Sequence, residues 1–269
     1  MELKLMLLKK EIENHQHDLD TFLREYIKKY KNKLLQFGKD GNLYFWSKYK
    51  KDKMLVSINI QQIDLENDEQ FDNTMKLIKN ALDTAFKDIN KKFPKKHSDD
   101  YELIKGENSI INKIENLIFY ERDSINDIFD LISKVFISIL EGHKFRNGNK
   151  RFCFFFLICL LFNFNFYFKA SNFDSIKKEN TYLTEISYKQ ENDLFCFVTR
   201  LSNRTFEDLK LLLDPRNKDD NNQVQQMISN CWTIINNKDF NLSTDIRQTK
   251  VKKEIKEWIQ KNSLFSKIW

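Results

Sequence analysis

Residues 152–162, FCFFFLICLLF, restrict the possible folds of this chain more than any other stretch. No face of the run carries a strongly polar side chain, so a helix made from it must be covered on all sides. A membrane could cover it, but a span needs roughly 20 apolar residues, and Asn163 and Asn165 interrupt this run. The remaining solution is the centre of a helical bundle. With only 5 Gly and 2 Pro the chain holds few helix breakers, which favours a mainly α fold.

Apolar spacing suggests the elements around that centre. Residues 2–37 read as a helix or helix pair, with Leu3, Leu7, Leu19, Phe22, Leu23, Tyr26, Ile27, Tyr30 and Leu34 at helical intervals. Residues 43–49 and 54–60 are rich in aromatic and β-branched side chains, and a basic stretch at 50–53 separates them, as in a β-hairpin. Residues 68–93 form an amphipathic helix that ends before Pro94, and 95–108 are polar and irregular. Helices are expected at 109–120 and at 126–142. After a turn at 173–180, further helices are expected at 184–200, 205–213, 224–235 and 245–260, with DPRNKDDNN at 214–222 as a linker. The expected division is a helix-plus-hairpin extension at 1–65, a central domain at 66–213 and a helical extension at 214–269.

The loop HKFRNGNKR, His143 to Arg151, lies between two of these apolar helices. Polar backbone in such a place must satisfy itself or be used on a ligand. Asn149, Lys150 and Arg151 fall where the second helix begins, and the first turn of a helix has free N–H groups and the positive end of the dipole. Phosphate binds readily there. Gly148 permits close approach or positive φ. Arg151 offers a bidentate fork and Lys150 a point charge. His143, at the end of the preceding helix, is placed as a general base.

These residues resemble the motif of the Fic/Doc (Fido) family, His-x-Phe-x-(Asp/Glu)-(Gly/Ala)-Asn-(Gly/Lys)-Arg. His143, Phe145, Gly148, Asn149, Lys150 and Arg151 meet it, and Asn147 stands where the family has an acid. The resemblance covers roughly residues 70–205 and is strongest at the motif. It implies a Fido-type helical bundle around a buried central helix, with one or two small β-hairpins. It also implies ATP and Mg²⁺, with His143 taking a proton from a Ser, Thr or Tyr hydroxyl of a target protein. Gly148, Asn149, Lys150 and Arg151 would hold phosphates, Phe145 would be structural, and Asn147 would be a weak, uncharged metal ligand. Lys150 in place of Gly, and Phe154 where many adenylyl-transferring members carry a second Arg, are similar to the Doc-like branch. That branch implies phosphotransfer, elongation factor Tu as the known type of target, and a toxin with an antitoxin partner. The alternatives are a Fic-type adenylyltransferase and a degenerate scaffold. In the family a flap before the motif grips the target, and 95–108 or the hairpin at 43–60 could supply it. SIKKEN at 175–180 matches the family's inhibitory pattern only superficially and reads as a helix start or turn.

A net charge of +6, from 45 Lys+Arg against 39 Asp+Glu, suits an ATP site or an acidic partner without arguing for nucleic acid. Cys153, Cys159, Cys196 and Cys231 form no CxxC pair or metal cluster. The expected setting is reduced and cytoplasmic; residues 1–11 are too acidic and their apolar run too short for a signal peptide.

Overall fold

The structure, a computed structural model, describes residues 1–46, 52–169, 188–201 and 242–265. The described residues are mainly helical, with three small sheets among them. The elements expected at 205–213, 214–222 and 224–235, the turn at 173–180, the SIKKEN stretch and the start of the 184–200 helix lie outside the described residues.

The chain opens with β1 (Glu2–Leu8), α1 (Lys9–Asn14) and α2 (Leu19–Tyr30). The strand corrects the expectation of helix from residue 2. Leu3, Leu5 and Leu7 are all buried, which is the alternation of a strand with one face on the core. β2 (Leu35–Phe37), β3 (Leu43–Trp46) and β4 (Lys53–Leu55) make an antiparallel sheet. The expected hairpin is therefore present, but its second arm is shorter than 54–60. The chain leaves it at Val56 and enters β5 (Ser57–Ile63), which pairs in parallel with β1, from Glu2 with Ser57 to Leu8 with Ile63.

α3 (Asp68–Lys92) begins where the Asn67 side chain accepts the Gln70 N–H. Asp68 and Glu69 in its first turn and Lys91 and Lys92 in its last match the dipole, and it stops two residues before Pro94. α4 (Asn108–Glu121) and α5 (Ile128–Gly142) follow. Asp127 caps α5 by accepting the Asp130 N–H.

α6 (Asn149–Asn163) is the central helix. Every residue from Phe152 to Leu161 is buried. α3 packs along one side, α5 and α7 (Tyr188–Leu201) along others. Each phenylalanine taken out of water here contributes roughly 2–3 kcal/mol, so the covering helices stay in place around α6. No helix among the described residues is long and apolar enough to cross a membrane.

α8 (Thr244–Lys261) lies on α5 and α7, and β7 (Ser263–Phe265) pairs with β6 (Phe166–Phe168). Buried residues from 1–65, 66–213 and 214–269 belong to one continuous core, from Leu3 to Phe265. Cys153 and Cys159 are free and buried, but the expectation of a fully reduced set is corrected at Cys196. Cys196 is disulfide-bonded, which the cysteine spacing did not foretell.

Candidate functional site

Two left-handed residues turn the chain from α5 into α6. His143 follows Gly142 with φ 39° and ψ 59°, and Gly148 precedes Asn149 with φ 77°. A Cβ on Gly148 would lie 2.7 Å from Tyr101 Cε1, so both the φ and the close approach call for glycine.

Between these hinges the loop is pinned from inside. Phe145 is buried, 4.3 Å from the Phe152 ring centroid and 6.0 Å from that of Phe86. The Asn149 side chain accepts the Phe145 N–H at 3.0 Å and donates to the Phe145 carbonyl at 2.6 Å. One amide thus satisfies both backbone groups of a buried residue. Asn149 was expected to hold phosphate; its side chain here holds the loop instead. The helical ladder begins with Phe152 N–H to Gly148 at 3.0 Å, so the N–H groups of Asn149, Lys150 and Arg151 precede it.

The segment expected as flap or connector pairs with this loop. Tyr101 N–H donates to the Asn147 carbonyl at 3.1 Å, Arg146 N–H to Glu102 at 2.9 Å, and Ile104 N–H to Lys144 at 2.9 Å. β-bridges join Asp100 to Asn147 and Leu103 to Phe145.

Arg151 is the best-defined charge of the site. Its Nη2 donates to Asp100 Oδ2 at 3.0 Å, and its guanidinium lies over the Tyr101 ring at 5.4 Å. Asp100 is 0% exposed and the Arg151 side chain 15%. The same Oδ2 accepts the N–H groups of Lys96 at 2.7 Å and His97 at 3.2 Å, while Oδ1 is buried with no hydrogen-bond partner. Burial opposes ionisation of Asp100, but the two N–H donors and Arg151 outweigh it, and its carboxyl stays below the usual carboxylate range. The Lys150 ammonium sits 4.8 Å from the centre of the Phe195 ring on α7.

A second cation cluster stands at the end of α5. Lys113 Nζ donates to the Ser138 carbonyl at 2.9 Å, beside Lys144. Burial, and then the Lys144 charge, pull the Lys113 amine below its ordinary value.

The side chains around the loop do not compose a protein-held Mg²⁺ site in this arrangement. Asn147 Oδ1 accepts the Gly148 N–H at 2.8 Å, and the free oxygen of Asp100 is sealed beside a guanidinium that a dication would face.

The structure brings His143, Asn147, Gly148, Asn149 and Arg151 onto one loop and helix start. It adds Asp100, Tyr101 and Lys113, which sequence reasoning missed. Nothing local marks them: Asp100 precedes Arg151 by 51 positions, and only the placement of 95–108 as a flap candidate pointed to that segment. No family model, curated protein or solved structure matches the chain.

Proposed function

We propose that this chain is a Fic/Doc-type transferase with a Fido-type bundle, using ATP to modify a hydroxyl of a target protein. Phosphotransfer in the manner of the Doc-like branch is the favoured reaction. The observation that carries the reading is the turn from α5 into α6. A left-handed His143 ends one helix, a left-handed Gly148 opens the next, and Arg151 lies in the first turn of that next helix, paired with Asp100. ATP supplies the group to be transferred. The first-turn N–H groups of α6 and Arg151 bind and orient its phosphates. His143 takes the proton of the hydroxyl as its oxygen attacks the γ-phosphorus, the bond to the β,γ-bridging oxygen breaks and ADP leaves. Phosphoryl transfer depends on positioning and charge more than on covalent help, and a loop pinned by Phe145 and Asn149 supplies the positioning.

Elongation factor Tu, the target type that the resemblance implies, is the first substrate to try. Incubation with ATP labelled at the γ or the α position, followed by mass spectrometry, separates the readings. Added phosphate supports phosphotransfer, and added nucleoside monophosphate supports the adenylyltransferase. No modification of any hydroxyl protein favours the scaffold reading, to which the inward-turned Asn147 amide lends support.

A further inference from the structure

Resting on the proposed phosphate site, a feature of the 93–104 segment bears on its regulation. An arginine placed to receive phosphate already has an anion. Asp100 meets it from a fully buried position, and the carboxylate is preset by the N–H groups of Lys96 and His97. Its neighbour Tyr101 lays its ring against Gly148 at the entrance to α6, and the Tyr101 hydroxyl is tied to the Phe93 carbonyl at 3.0 Å. Both the guanidinium and the helix start are therefore covered by two consecutive residues of one segment.

Two features show that this cover is under stress. Asp100 Oδ1 is buried without a hydrogen bond, which leaves half of a charged group uncompensated. Tyr101 holds φ 63°, a region that a bulky residue occupies only when its surroundings force it. A phosphate brought to Arg151 would also meet the Asp100 charge at short range in a poorly solvated place.

We infer that Asp100 is a built-in competitor for the phosphate clamp, and that residues 100–104 must withdraw from the motif loop before a nucleotide can seat on Arg151 and the α6 start. The closed form is held by the ion pair and three backbone hydrogen bonds to the loop; the strain at Tyr101 and the orphaned oxygen favour release.

The test is calorimetric titration of the full chain with ATP. Asp100→Asn keeps an acceptor for Lys96 and His97 but removes the negative charge that faces Arg151, and it should bind at least tenfold more tightly than wild type. A wild type that binds as tightly as Asp100→Asn, or more tightly, overturns the inference while leaving the phosphate site standing, with Asp100 then orienting Arg151. Binding by neither chain overturns both this inference and the transferase reading. Hydrogen exchange in wild type gives a variant-free check. Saturating ATP should speed exchange of the Lys96 and His97 amides, which Asp100 now protects; slower exchange overturns the inference.

Discussion

Replacing Glu11 by glutamine should make the protein more stable at pH 8 and leave it nearly unchanged at pH 5. Glu11 Oε2 accepts the N–H groups of Leu8 and Ile128, each at 3.0 Å, and so joins the end of β1 to the start of α5. The residue is 7% exposed. Burial, with Asp127 adding to it, raises the carboxyl from an ordinary value near 4.5 to about 7, although the two N–H donors and Lys256 pull the other way. The folded protein therefore binds this proton more tightly than the unfolded chain. The stabilisation is complete below the unfolded value near 4.5 and is lost as pH rises through about 7. At about 1.36 kcal/mol per pH unit, the separation is worth about 3 kcal/mol at most. Glutamine has the shape of the protonated acid and one oxygen for both donors, without the titration. Urea denaturation of both proteins at pH 5 and pH 8 measures the effect. The difference in unfolding free energy, variant minus wild type, should grow by about 2–3 kcal/mol towards pH 8. A Glu11→Gln protein that is less stable at pH 8, by an amount equal to that at pH 5, would show that the carboxylate is held charged by its two donors.

Gly148→Ala should cost about 1–3 kcal/mol, from a left-handed backbone that alanine resists and a Cβ 2.7 Å from the Tyr101 ring; an unchanged melting temperature would contradict this. Asn149→Ala removes both hydrogen bonds to the buried Phe145 backbone, and should lower stability by about 1–3 kcal/mol with Phe145 N–H losing exchange protection. If that amide stays protected, the loop is pinned by something other than Asn149.

Much of the helical framework is legible in the sequence because amphipathic spacing is local. α3, α4, α5 and α8 fall close to the expected ranges, and the start of α6 at Asn149 follows from the loop before it. β1 escaped because ELKLMLL satisfies two periods at once. Leu3 and Leu7 are spaced as on a helix, while Leu3, Leu5 and Leu7 alternate as on a strand, and its partner β5 is more than fifty residues away. The second hairpin arm is shorter than its composition suggests because β5 pairs with β1 and does not continue β4 along β3. In the site, the burial of Phe145 and the left-handed Gly148 were readable. The inward turn of Asn149 and the ion pair of Arg151 with Asp100 were not, because both depend on which chain segment folds over the loop.

The central claim is that His143 drives hydroxyl modification at this loop. The direct measurement is transfer from γ-labelled ATP, at millimolar ATP, to the modified target by wild type and by His143→Ala. The account predicts a fall in rate on the order of a hundredfold or more, with ATP binding retained. Equal rates in the two proteins would contradict it.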